Sequence, residues 1–98
     1  MAWTSTNTEF GYSCTGGTAG EIATGKIWVK AFVFCPVNAS SDGVLVQDTA
    51  GNQIWRTVGT TQYKSESIVF IKPVPVDGLK VPTGGMTNAA DILTVFVD

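Results

Sequence analysis

From Lys26 onward the chain alternates short runs of β-branched and aromatic residues with clusters of glycine, proline, asparagine and aspartate. Such runs suit a pleated, extended backbone, and such clusters suit turns. The runs predict strands over 26–35, 44–48, 53–58, 67–72, 79–81 and 92–97. Pro36 ends the first, and the stretch 38–43 reads as a turn. Thr49-Ala-Gly-Asn52 joins the second and third as a hairpin. Pro73-Val-Pro75 closes the fourth, because proline cannot donate to a central ladder, and Asp77-Gly78 reads as a tight turn. No window carries the i, i+3, i+4, i+7 apolar spacing of an amphipathic helix. Short strands with turns every 8–12 residues predict an all-β fold: a single small antiparallel β-sandwich or jelly-roll-like barrel.

The first residues follow another pattern. Thr4, Thr6, Thr8, Thr15, Thr18 and Thr24 alternate with small or polar residues, and Gly16, Gly17, Gly20 and Gly25 punctuate them. Residues 1–24 are therefore expected to form an extended Gly/Thr-rich N-terminal arm, with 25–98 as the β-sandwich domain. Thr4–Glu9 suits an edge strand, whereas the glycine-rich stretch 16–20 suits neither a strand interior nor a helix.

Three strands are apolar on both faces. In the first, Ile27, Val29, Ala31, Val33 and Cys35 oppose Trp28, Phe32 and Phe34, with only Lys30 interrupting. In the fourth, Ile68 and Phe70 oppose Val69 and Ile71, and the last strand sets Ile92 and Phe96 against Leu93, Val95 and Val97. A half-buried strand alternates apolar and polar positions, so both faces here need a cover. No helix is predicted to supply it. The arm, long loops or another subunit remain, and each large side chain left in water forfeits about 1.5–3 kcal/mol. A homo-oligomer or a protomer of a larger assembly is the expectation; a monomer whose loops cover the outside is the alternative.

Composition narrows the chemistry. Of 98 residues only 14% are charged, and eight acids against six scattered bases leave a net charge of -2. That distribution offers no footprint for a nucleic-acid backbone. No apolar run is long enough to span a membrane, and the N-terminal stretch carries no basic and apolar leader pattern. Histidine is absent, which removes the commonest general base and metal ligand. Cys14 and Cys35 are expected as reduced thiols. The carboxylate couples that local spacing suggests, Asp42 with Asp48 and Asp77 with Asp91, read as turn acids, since Asp42 and Asp77 each precede glycine. No calcium-loop spacing or phosphate-binding glycine loop is present. The expectation is no enzyme, no metal and no cofactor. The aromatic side chains Trp3, Tyr12, Trp28, Phe34 and Trp55 are the candidate interface anchors.

The runs Gly25-Lys-Ile-Trp-Val-Lys-Ala-Phe-Val-Phe, Asp42-Gly-Val-Leu-Val-Gln-Asp-Thr-Ala-Gly-Asn, Ile71-Lys-Pro-Val-Pro-Val-Asp-Gly-Leu-Lys-Val and Ile92-Leu-Thr-Val-Phe-Val together resemble small virion proteins of tailed bacteriophages. The resemblance covers residues 25–98. It implies a capsid decoration (cement) protein, typically a homotrimer that clamps the major capsid protein on the capsid surface after assembly in the host cytoplasm. The alternatives are a carbohydrate-binding module of a fibre or spike, with Trp55 beside Gln53, Arg56 and Gln62, and a head–tail or tail component.

Overall fold

A computed structural model describes residues 3–98 as seven β-strands without a helix among them. They are β1 (Thr4–Asn7), β2 (Gly11–Thr15), β3 (Gly20–Cys35), β4 (Gly43–Gln47), β5 (Gln53–Val58), β6 (Glu66–Val81) and β7 (Ile92–Val97). All pairings are antiparallel, in the order β1-β2-β7-β3-β6-β4-β5. The expected all-β fold is present. β1 and β5 are the two edges of the sheet, which does not close into a barrel.

The long strands β3 and β6 form the spine. They bend together between the pairs Ala23↔Leu79 and Lys26↔Asp77, where β3 carries one extra residue. Gly25 (φ 75) and Gly78 (φ 78) sit at this bend in left-handed backbone, which glycine adopts without the cost of a Cβ. On one side of the bend β4 and β5 extend the sheet; on the other β7, β2 and β1 do. The two halves face each other across one apolar core, giving a sandwich-like fold. Phe32 and Phe34 of β3, Val44 and Val46 of β4, Leu79 of β6, Met86, and Leu93 and Val95 of β7 are all enclosed there. Phe32 bridges the halves: its ring stacks on Trp55 of β5 at 5.4 Å and meets Phe70 of β6 edge-on at 6.2 Å.

The expected N-terminal arm is not present as an arm in the described residues, which exclude Met1 and Ala2 of it. Thr8 closes a β1–β2 hairpin: its N–H donates to Gly11 O, and its hydroxyl accepts from the N–H groups of Phe10 and Gly11. β2 then pairs with the C-terminal strand β7 through Tyr12↔Val95 and Cys14↔Leu93. The bend of residues 16–19 leads directly into β3, which crosses the expected boundary at residue 24. Trp3 folds back over Gly20, where a Cβ would strike its indole, and its Nε1 donates to Glu21 O at 2.9 Å.

The stretch 66–81 is one strand rather than two with a turn between them. Pro73 and Pro75 are tolerated because β6 meets its second neighbour, β4, only at Lys80. Along the proline stretch that side has no ladder needing the missing N–H. Asp77-Gly78, read as a turn, lies in the bend of the spine, opposite the extra residue of β3.

Candidate functional site

β3 resolves its own apolar excess. Its pairing with β7 steps from Val29↔Val97 to Ala31↔Phe96, so a bulge at Lys30 inserts one residue. The inward face changes parity there: Val29 before the bulge and Phe32 and Phe34 after it are fully buried, while Lys30 is exposed. Phe34 is therefore enclosed in its own core rather than available as an interface anchor.

β6 has no such solution. Between Val69↔Ala31 and Val74↔Val29 it spends four residues, 70–73, against one in β3, and the chain swings outward. Phe70 still reaches inward to Phe32. Val69 is 74% exposed and Ile71 fully exposed, and Phe10, from the β1–β2 turn, is 64% exposed. The pairings Gly11↔Phe96, Phe96↔Ala31 and Ala31↔Val69 place Gly11, Phe96, Ala31 and Val69 in one row across the sheet, with Phe10 next to its end. A depression of about 240 Å³ runs along it, lined by Phe10, Lys30, Ala31, Val69, Phe70, Phe96 and Val97. Trp28, 48% exposed, lies beyond with Lys72, Pro73 and Asp98 around an adjoining groove. Lysines Lys30 and Lys72 and the carboxylate Asp98 thus rim an apolar surface, the usual composition of an interface centre and its border.

Of the five aromatic residues singled out in the sequence, Trp28 alone joins this surface. Trp3, Tyr12 and Trp55 are half-buried against their own core. One face of Trp55 is occupied by Phe32, and the adjacent Arg56 is exposed on the other side of β5, so these two do not form one sugar-binding platform. Phe10, Val69 and Ile71 were not on that list. The signal for Val69 and Ile71 was the two-faced run of residues 67–72; Phe10, isolated between polar residues, gave none.

Cys14 and Cys35 are free and belong to opposite faces: Cys14 pairs with the buried Leu93, Cys35 with the exposed Ile92. Burial pushes the Cys14 thiol up from its ordinary value against a hydrogen bond to Ser5, which makes it a poor nucleophile. No group of three or more histidine, cysteine, aspartate or glutamate residues gathers at metal-binding distance among the described residues. Comparison with protein families, with known proteins and with solved structures finds no match for this chain.

Proposed function

We propose that this chain is a non-enzymatic structural protein of a virion, a decoration protein that binds a bacteriophage capsid shell through the apolar face of β2, β7, β3 and β6. The observation that carries the reading is the exposure of Val69 and Phe10 along one apolar depression, with Ile71 fully exposed two residues further along β6. Each of these side chains gains about 1.5–3 kcal/mol when covered. A shell protein is defined by contact area and asks for no reactive centre. The low charge of the chain suits a surface that is covered in use, because interface cores are depleted in charge. The resemblance of residues 25–98 to small phage virion proteins supplies the capsid and the trimeric state. In this reading the chain acts on the outside of the capsid, with the major capsid protein and its own copies as partners.

The test is the solution mass of the purified chain by light scattering, together with co-sedimentation with capsid shells. The expected result is a trimer at micromolar concentration that binds shells, and an Ile71→Asp variant that weakens association at least tenfold, as truncating a central anchor does. A monomer that ignores shells overturns the proposal, and so does an Ile71→Asp variant that assembles and binds like the parent.

A further inference from the structure

Two aspartates lie far from the apolar face and serve no part of that reading. Asp42 is 3% exposed and Asp91 0%. Asp91 directly precedes β7, and its Oδ1 accepts the N–H groups of Val37 at 2.8 Å and Asn38 at 3.2 Å. Asp42 closes the turn that leads into β4: its N–H donates to Ala39 O and its carbonyl accepts from Gly59. The two carboxyl groups lie within hydrogen-bonding reach of each other. Yet Oδ2 of Asp42 and Oδ2 of Asp91 are both buried without a partner.

A buried carboxylate oxygen left bare is costly, and two ionised carboxylates side by side add repulsion. No cation among the described residues acts on Asp91. Asp42 is the one charged group acting on Asp91 among the described residues, and the remaining groups are the two backbone N–H donors. From β2 comes the Thr15 hydroxyl, donating to Asp91 O, and from the segment before β7 the Asn88 carbonyl, accepting from Asp91 N. Neither titrates. Tyr63 and Lys64, whose segment ties to Pro36 through Tyr63 N–H, are exposed, as is Arg56 of β5, and Cys35 is half-buried next to Pro36. One proton between the two Oδ2 atoms satisfies both at once.

We propose that Asp42 and Asp91 share one proton in the folded chain, and that this proton clasps the turn of residues 36–42 to the segment 82–91. That segment straps the end of the sandwich. Gly85 O accepts from Leu45, Met86 N–H donates to Thr18 O, Thr87 N–H to Gly43 O, and Ala89 O accepts from Gly16. Loss of the proton unfastens the strap and uncovers Met86, which is otherwise 1% exposed.

The direction with pH follows from linkage. Burial first, and Asp42 next, push the Asp91 carboxyl above its ordinary value. The folded chain therefore keeps a proton that the unfolded chain has released. The stabilisation is fully present below the unfolded pKa of about 3.9 and is lost as pH rises through the raised folded value.

Thermal unfolding of the full chain from pH 3 to pH 9 tests this, with Asp91→Asn beside the parent. The parent is expected to lose on the order of 5 °C or more as pH rises. Asp91→Asn is expected to be flat, because its amide donates permanently to Asp42 Oδ2 while its Oδ1 keeps the two N–H groups. A parent without a slope overturns the proposal, as does a variant with the parent's slope. Calcium that restores the parent at high pH but not the variant also overturns it, in favour of a cation between ionised carboxylates. Should Asp91→Asn not fold, Asp42→Asn gives the same reading from the other side. Independently, an infrared carboxylic-acid band that persists in the parent above the pH at which exposed carboxylates ionise, and that Asp91→Asn lacks, supports the shared proton; its absence overturns it.

Discussion

β3 and β6 are neighbours of equal length with the same apolar-on-both-sides character, and they end in opposite situations. The single bulge at Lys30 turns β3 by one position, so that Val29 and then Phe32 and Phe34 reach the same core. The four-residue swing at 70–73 turns β6 away, so that Phe70 stays in contact with Phe32 while Val69 and Ile71 face water. An apolar excess in a strand is thus no measure of an interface by itself. A bulge converts it into core, and only the part that no bulge redirects is left for a partner. Free energy follows the same division: the excess of β3 belongs to folding, and in the proposed reading that of β6 belongs to association.

The comparison breaks most visibly at Phe32. Phe32→Ala removes a fully buried ring that holds both Trp55 and Phe70, at a cost of about 3–5 kcal/mol. That is a large share of the roughly 5–15 kcal/mol of a small domain. Urea unfolding is expected to show the midpoint collapse, and a loss below 1 kcal/mol would mean that β3 does not hold the two halves together. The bulge itself is tested by two deletions. Removing Lys30 leaves Val29 inward, Ala31 outward and Phe32 inward, as regular alternation requires. Removing Val33 instead drives Phe34 to the wrong face, as a one-residue slip does. The Val33 deletion is expected to cost more than the Lys30 deletion by about 1.5–3 kcal/mol, the value of exposing one large side chain. Equal losses in the same urea series would deny the bulge its role.

The sequence shows the materials of this architecture more clearly than its pairings. Strand positions are legible because β-branched runs and turn clusters are local features; β5 has the bounds expected for it, and β4 is displaced by one residue. The incorporation of residues 4–24 was hidden because their partners are distant: β2 is ordered by β7, at the other end of the chain. Pro73, Pro75 and Gly78 looked like strand breakers because the sequence does not show that β6 lacks a neighbour beside the prolines, or that β3 bends at Gly25 in step with it. The two acids of the buried pair were both visible, but local spacing coupled Asp42 with Asp48 and Asp77 with Asp91. Forty-nine positions separate the true partners, and only the folded chain sets the turn before β4 against the residue before β7. Asp48 instead keeps to its own turn, where Asn52 donates to both its oxygens and holds its carboxyl below the ordinary value.

The smallest expected effect is the one that separates the two strands best. Ile71 is fully exposed, so placing aspartate there removes no contact from the folded protomer. Surface changes of this kind stay within about 0.5 kcal/mol, and loss of the β-branched side chain acts in the same small range in an irregular stretch of strand. The urea midpoint of Ile71→Asp, measured at a dilution where the parent is dissociated, is therefore expected to match the parent. At higher concentration the parent's midpoint should rise, because association stabilises the folded state by mass action, while that of the variant should not. A variant destabilised by several kcal/mol at high dilution would place Ile71 in the core economy of its own chain. β6 would then bury its second face as β3 does, and the surface proposed for capsid binding would be part of the fold.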